Sequence, residues 1–66
     1  MSMEKYIGRM VVIVYVDKNG SFSKRTIRVL GVRSGTVSAF DADKRQPRSF
    51  ELGRILAVQL VTRHAS

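Results

Sequence analysis

The stretch Met10-Val11-Val12-Ile13-Val14-Tyr15-Val16-Asp17-Lys18-Asn19-Gly20 decides the fold. From Met10 to Asp17 almost every side chain is β-branched or aromatic, the composition of a strand covered on both faces or shared between a core and a cover. Asn19-Gly20 tolerates positive φ at both central positions of a turn, so this strand is expected to end in a hairpin. A second strand then runs from about Phe22 to Val32. On it Arg25, Ile27 and Val29 share one side, and Lys24, Thr26 and Arg28 the other. One face is therefore apolar beyond its first residue, and the opposite face is basic.

Upstream, Ser2 is placed to cap a short helical turn over Met3 to Ile7, with Glu4 near its positive end, and Gly8 stops it. Tyr6 packs for that turn. Downstream, Ser34-Gly35 makes the next reversal, and a third strand from Thr36 to Asp41 sets Val37, Ala39 and Asp41 on one side with Ser38 and Phe40 on the other. A polar turn follows at Asp43 to Gln46. Pro47 fits only the start or edge of a strand, which places a fourth strand at Arg48 to Leu52 with Arg48, Phe50 and Leu52 together. Gly53-Arg54 breaks it, and Ile55 to Val61 is a fifth strand because it is short and β-branched. Five short strands and tight turns predict an all-β fold, a five-stranded SH3-like or Sm-like small barrel with a short N-terminal helical turn. An open sheet dimerised through its face is the alternative.

Sixty-six residues make a single domain, with its core from about residue 10 to 62. No repeat or linker divides it. Cys is absent, which removes disulfides, thiolate metal sites and a Cys nucleophile, and suits a reducing, cytoplasmic setting. The longest apolar run, Met10 to Val16, is far short of a membrane helix, and no signal pattern opens the chain, so neither export nor membrane insertion is expected. The lone His64, near the C-terminus, is read as a solvated tail residue. One His, no Cys and five scattered carboxylates assemble neither a catalytic set nor a metal site, so an enzyme is not expected and no cofactor is called for.

The charge balance is more informative. Twelve Lys or Arg against five Asp or Glu give a net charge of +7. Most of the basic residues are Arg, whose planar fork matches phosphate or carboxylate oxygens. Pairing strands two with three, and three with four, brings Arg25, Asp41 and Arg48 together at one mouth of the sheet, each on the core side of its own strand. Two readings stay open. Asp41 can neutralise the arginines as a structural partner, or the two guanidinium groups can form an anion site that one carboxylate does not satisfy. Lys24, Arg28 and Arg54 add charge. Phe40, opposite in parity to Val37 and Ala39, is a candidate to stack on a base of single-stranded nucleic acid. Phe50 is assigned to the core, and Tyr15 to the core or its rim with its hydroxyl reaching water or a polar partner.

Taken together, Val-Ile-Val-Tyr-Val-Asp-Lys-Asn-Gly (12–20), Arg-Thr-Ile (25–27), Val-Ser-Ala-Phe-Asp (37–41) and Arg-Ser-Phe-Glu-Leu-Gly-Arg-Ile (48–55) resemble a WYL domain, a small Sm-like barrel of bacterial regulators. The tripeptide that names that family falls on Gly35-Thr36-Val37, and Arg28 stands where the family commonly has Pro. The resemblance implies a ligand-sensing module for nucleic acid or nucleotide-type ligands, in a stand-alone version without the helix-turn-helix. It implies Arg25, Arg48 and Arg54 as basic-site residues and Tyr15 as the strand-one aromatic. Three functional classes follow. The first is a regulatory module binding single-stranded nucleic acid or a phosphorylated nucleotide. The second is a protein–protein adaptor docking a partner through Phe40 or an edge strand. The third, a small enzyme, is set aside by the residue inventory; within the binding class the runner-up is an Sm-like RNA-binding ring, a homo-oligomer paired through edge strands.

Overall fold

The computed structural model of the chain describes residues 3–61. Ser2 and His64 lie outside them. A single 3-10 turn at Glu4–Tyr6 precedes five strands: β1 (Met10–Val16), β2 (Phe22–Arg33), β3 (Thr36–Asp41), β4 (Gln46–Glu51) and β5 (Ile55–Leu60). A second 3-10 turn, Leu52–Arg54, joins β4 to β5. The strands form one sheet in the order β4-β3-β2-β1-β5, with every neighbouring pair antiparallel. The all-β expectation therefore holds.

Parity sorts the side chains as the sequence pattern requires. Val11 and Ile13 of β1, Ile27 and Val29 of β2, Val37 and Ala39 of β3, Phe50 of β4 and Ile55 of β5 are buried on one face. Burying a side chain the size of Val or Ile contributes about 1.5–3 kcal/mol, so this face supplies most of the driving force available to so short a chain. Met3 joins the same cluster at 1% exposure, with Tyr6 half-buried beside it. The N-terminal turn thus plugs the core rather than lying beside it. Met3, at the N-cap position, makes no side-chain cap bond, and the turn's backbone bonds include Tyr6 N–H to Met3 O at 3.0 Å.

Glu51 and Ile55 stand on opposite edge strands yet are joined by three residues. In a flat sheet of five strands those edges would be about 19 Å apart, at about 4.8 Å per strand. Four residue steps reach at most about 14 Å. The sheet must therefore curl around its apolar face. A ladder pairing β4 with β5, which would close the curl into a barrel, is not among its pairings.

The turns differ in detail from expectation. Of the Asn19-Gly20 pair only Gly20 has positive φ, at 83°. Asp17 explains this: its Oδ1 accepts the N–H groups of Asn19 at 2.8 Å and Ser21 at 2.9 Å, wrapping the loop around a carboxylate instead of a two-residue turn. At the next reversal both central residues, Ser34 (φ 49°) and Gly35 (φ 75°), are left-handed, the pattern of a type I′ hairpin. Serine is strained there. Ser34→Asn is expected to raise the thermal midpoint by about 2–4 °C, corresponding to about 0.5 kcal/mol, in a melt followed by circular dichroism. β4 begins at Gln46, because that residue pairs with Asp41 before the Pro47 step, and Leu52 leaves the strand for the crossover turn.

Candidate functional site

The inner face becomes polar toward one end. Arg25 precedes Ile27 on β2, Asp41 follows Ala39 on β3, and Arg48 precedes Phe50 on β4; pairing places Ile27 beside Asp41 and Ala39 beside Arg48. Asp41 is fully covered, and is the one buried charged residue among the described residues. Its Oδ1 accepts the backbone N–H groups of Asp43 (2.9 Å) and Lys44 (3.1 Å), and its Oδ2 lies 3.4 Å from an Nη of Arg25. Burial pushes the carboxyl pKa up. The N–H groups of Lys44 and Asp43, then the charges of Arg25 and Arg48, outweigh that and hold it below the usual carboxylate range. Arg25, the other partner, is 24% exposed at its side chain, so water screens the pair in part.

Arg48 is held differently. Its guanidinium lies 5.8 Å from the centre of the Phe50 ring. Among the described residues no carbonyl or carboxylate accepts a hydrogen bond from it, although it is only half exposed. Its charge acts on Asp41 without an ion pair forming. Phe50 in turn packs edge-on against Tyr15, with centroids 5.0 Å apart and planes at 75°. The Tyr15 hydroxyl accepts the Glu51 N–H at 3.1 Å. Tyr15→Phe is expected to lower stability by only about 0.5–1.5 kcal/mol, measured by urea unfolding, because one neutral hydrogen bond is lost and the ring contact stays.

Arg54 closes this line of contacts. Its Nε donates to Glu51 Oε2 at 2.7 Å, and an Nη donates to the Asp17 carbonyl at 3.0 Å, tying the crossover turn to the β1–β2 hairpin. A cleft of about 360 Å³ opens beside it, lined by Tyr15, Lys18, Phe50, Glu51 and Arg54 among others. The inner mouth thus runs from Asp41 and Arg25, past Arg48 on Phe50, to Tyr15 and Arg54.

Of the residues singled out in the sequence, Arg25, Arg48, Arg54, Tyr15 and Asp41 lie along this mouth. Lys24, Arg28 and Phe40 lie on the opposite face, where Arg28 pairs directly with Phe40 across the ladder. Two contributors escaped the pattern. Lys18 belongs to a hairpin whose shape Asp17 dictates. Phe50 satisfies the parity of a core residue and is 2% exposed, yet its ring also carries Arg48; the signal available was the spacing of Arg48 and Phe50 two apart on one strand. Among the described residues no three of His, Cys, Asp or Glu come close enough to hold a metal ion, and no helix is long and apolar enough to cross a membrane. No protein-family model matches the chain, and no curated protein matches it in sequence.

Proposed function

We propose that the protein is a regulatory binding module for single-stranded nucleic acid or a phosphorylated nucleotide, engaged through Arg25 and Arg48 at the mouth of the curled sheet. The observation that carries this reading is Arg48, a half-buried residue whose guanidinium lies over an aromatic ring with none of its donors taken by another of the described residues. A cation held in one orientation needs little ordering when an anion arrives, and its fork suits two phosphate oxygens. Arg25 supplies a second positive group. Asp41 orients Arg25 by one oxygen at 3.4 Å, a long contact that leaves its other donors to a ligand.

Tyr15 and the adjoining cleft provide an aromatic wall where a base can lie while its phosphate meets Arg48. Arg54, with two internal partners, holds the frame of that cleft. The resemblance to WYL domains supports the same reading, and an SH3-like or Sm-like barrel is the finer description of the fold that it favours. The net charge of +7 steers any polyanion toward the domain.

Fluorescence anisotropy of labelled single-stranded oligonucleotides tests the proposal. If two phosphates are neutralised, the log–log salt slope is about −1.4, so affinity falls about sevenfold between about 50 and 200 mM salt. Binding that ignores salt, or no binding by the folded protein to either oligonucleotide or nucleotide, contradicts it.

A further inference from the structure

The opposite, convex face of the sheet carries a feature that the mouth does not use. Four residues of β1 point outward, Met10, Val12, Val14 and Val16, and all four are apolar and half-buried. An antiparallel sheet with one face in water ordinarily alternates apolar with polar residues. Here β1 is apolar on both sides. Across the ladder on β2 the row is answered by Arg28, Thr26, Lys24 and Phe22, and Phe40 of β3 extends the Met10–Arg28 pair. Phe22 is 69% exposed and Phe40 38%. No carboxylate stands on this face from β1 to β3, and among the described residues neither Lys24 nor Arg28 has an ion-pair partner.

We infer that this face docks an amphipathic helix of a partner protein whose apolar stripe lies along β1 and whose acidic flank meets Lys24 and Arg28. Dimensions and charge both select that occupant. Met10 to Val16 spans about 20 Å at about 3.4 Å per residue, the length of about 13 helical residues at about 1.5 Å each. Lys24 and Arg28 run alongside one strand spacing away, within reach of acidic side chains on one flank of such a helix. A helix laid on an apolar sheet face is the usual way such a face is covered. A second copy stacked face to face would set Lys24 and Arg28 of one chain near those of the other, which like-charge repulsion opposes. A nucleic acid strand would find a row of aliphatic side chains with no ring to stack on along β1. This inference concerns the face opposite the mouth and does not rest on the anion-binding reading.

The test uses two synthetic 16-residue helical peptides with the same leucine stripe, one flanked by Glu and one by Lys, titrated into isotopically labelled protein and followed by amide chemical shifts. The Glu-flanked peptide is expected to move amides of Met10–Val16 and Phe22–Arg28, and the Lys-flanked peptide to leave them in place. Lys24→Glu with Arg28→Glu should weaken the Glu-flanked peptide at least about tenfold, and circular dichroism should show the variant folded. Val14→Thr, which keeps a β-branched side chain, should weaken it as well. The inference is overturned if neither peptide moves those amides, if both move them equally, if the protein alone sediments as a dimer broken by Val14→Thr, or if anionic phosphatidylserine vesicles bind the face and the peptide does not.

Discussion

Arg48→Ala is expected to weaken binding of a single-stranded oligonucleotide about 10- to 100-fold, the effect of losing one charge-assisted interaction worth about 1.5–3 kcal/mol. The thermal midpoint should fall by only about 2–8 °C. Among the described residues Arg48 has no ion pair to lose, only its position 5.8 Å from the centre of the Phe50 ring, and a contact of that kind open in part to water contributes about 0.5–1 kcal/mol. The salt slope should become shallower by about 0.7 if one phosphate contact is removed. Arg48→Lys keeps the charge but not the fork, so its affinity should fall between those of the two proteins. Arg25→Ala separates the roles from the other side. Arg25 lies 3.4 Å from the buried Asp41 carboxylate, so its removal should reduce both affinity and stability. A loss of binding in Arg48→Ala matched by an equal loss of folded protein would assign the residue to the fold.

The largest effect on stability is expected from Asp41→Ala. That carboxylate holds the β3–β4 turn through the N–H groups of Asp43 and Lys44, and it faces Arg25 through its other oxygen. Removing it leaves the half-buried Arg25 without its anion and a turn without its anchor, and Arg45 in that turn already has a left-handed backbone at φ 55°. In a domain of this size the thermal midpoint should drop by about 10 °C or more. Asp41→Asn, which keeps an acceptor for the turn and discards the charge, should lose less.

The pH dependence follows from the sign of the shift. The folded carboxyl pKa is depressed below its unfolded value, so the folded state binds fewer protons than the unfolded state near that pKa. The contribution to stability is then complete above the unfolded pKa of about 3.9 and disappears as pH falls through the folded value. Urea midpoints of the native protein should therefore decline below about pH 4, and those of Asp41→Asn should decline less over the same interval.

Much of this architecture is written in residue parity. Val11 and Ile13, Ile27 and Val29, and Val37, Ala39 and Asp41 are each two apart, and a strand can bury such a set on only one face. The same rule set Arg25 and Arg48 on the core side and turned Lys24, Arg28 and Phe40 away from it. Two kinds of feature could not be read this way. Met3 is buried because a curled sheet leaves an end to be plugged, which no local propensity of Met3-Glu4-Lys5-Tyr6 expresses. The first hairpin departs from the Asn-Gly expectation because the Asp17 side chain competes for Asn19 and Ser21 N–H groups, so a side-chain contact overrides the dipeptide preference. At the mouth, sequence pairing placed Asp41 near both arginines but did not separate their partners. The structure does: Arg25 takes the carboxylate, and Arg48 takes the ring.

We propose the inner mouth, with Arg48 at its centre, as the seat of a phosphate-bearing ligand. Its most direct test is to titrate a short single-stranded oligonucleotide into isotopically labelled protein and map the amide and guanidinium shifts. The largest changes are expected at Arg25, Arg48 and Phe50, with the Arg48 side-chain signals slowed in exchange as its donors gain phosphate acceptors. Shifts confined to the outer face around Lys24, Arg28 and Phe40, with the Arg48 signals unmoved at saturation, would contradict it.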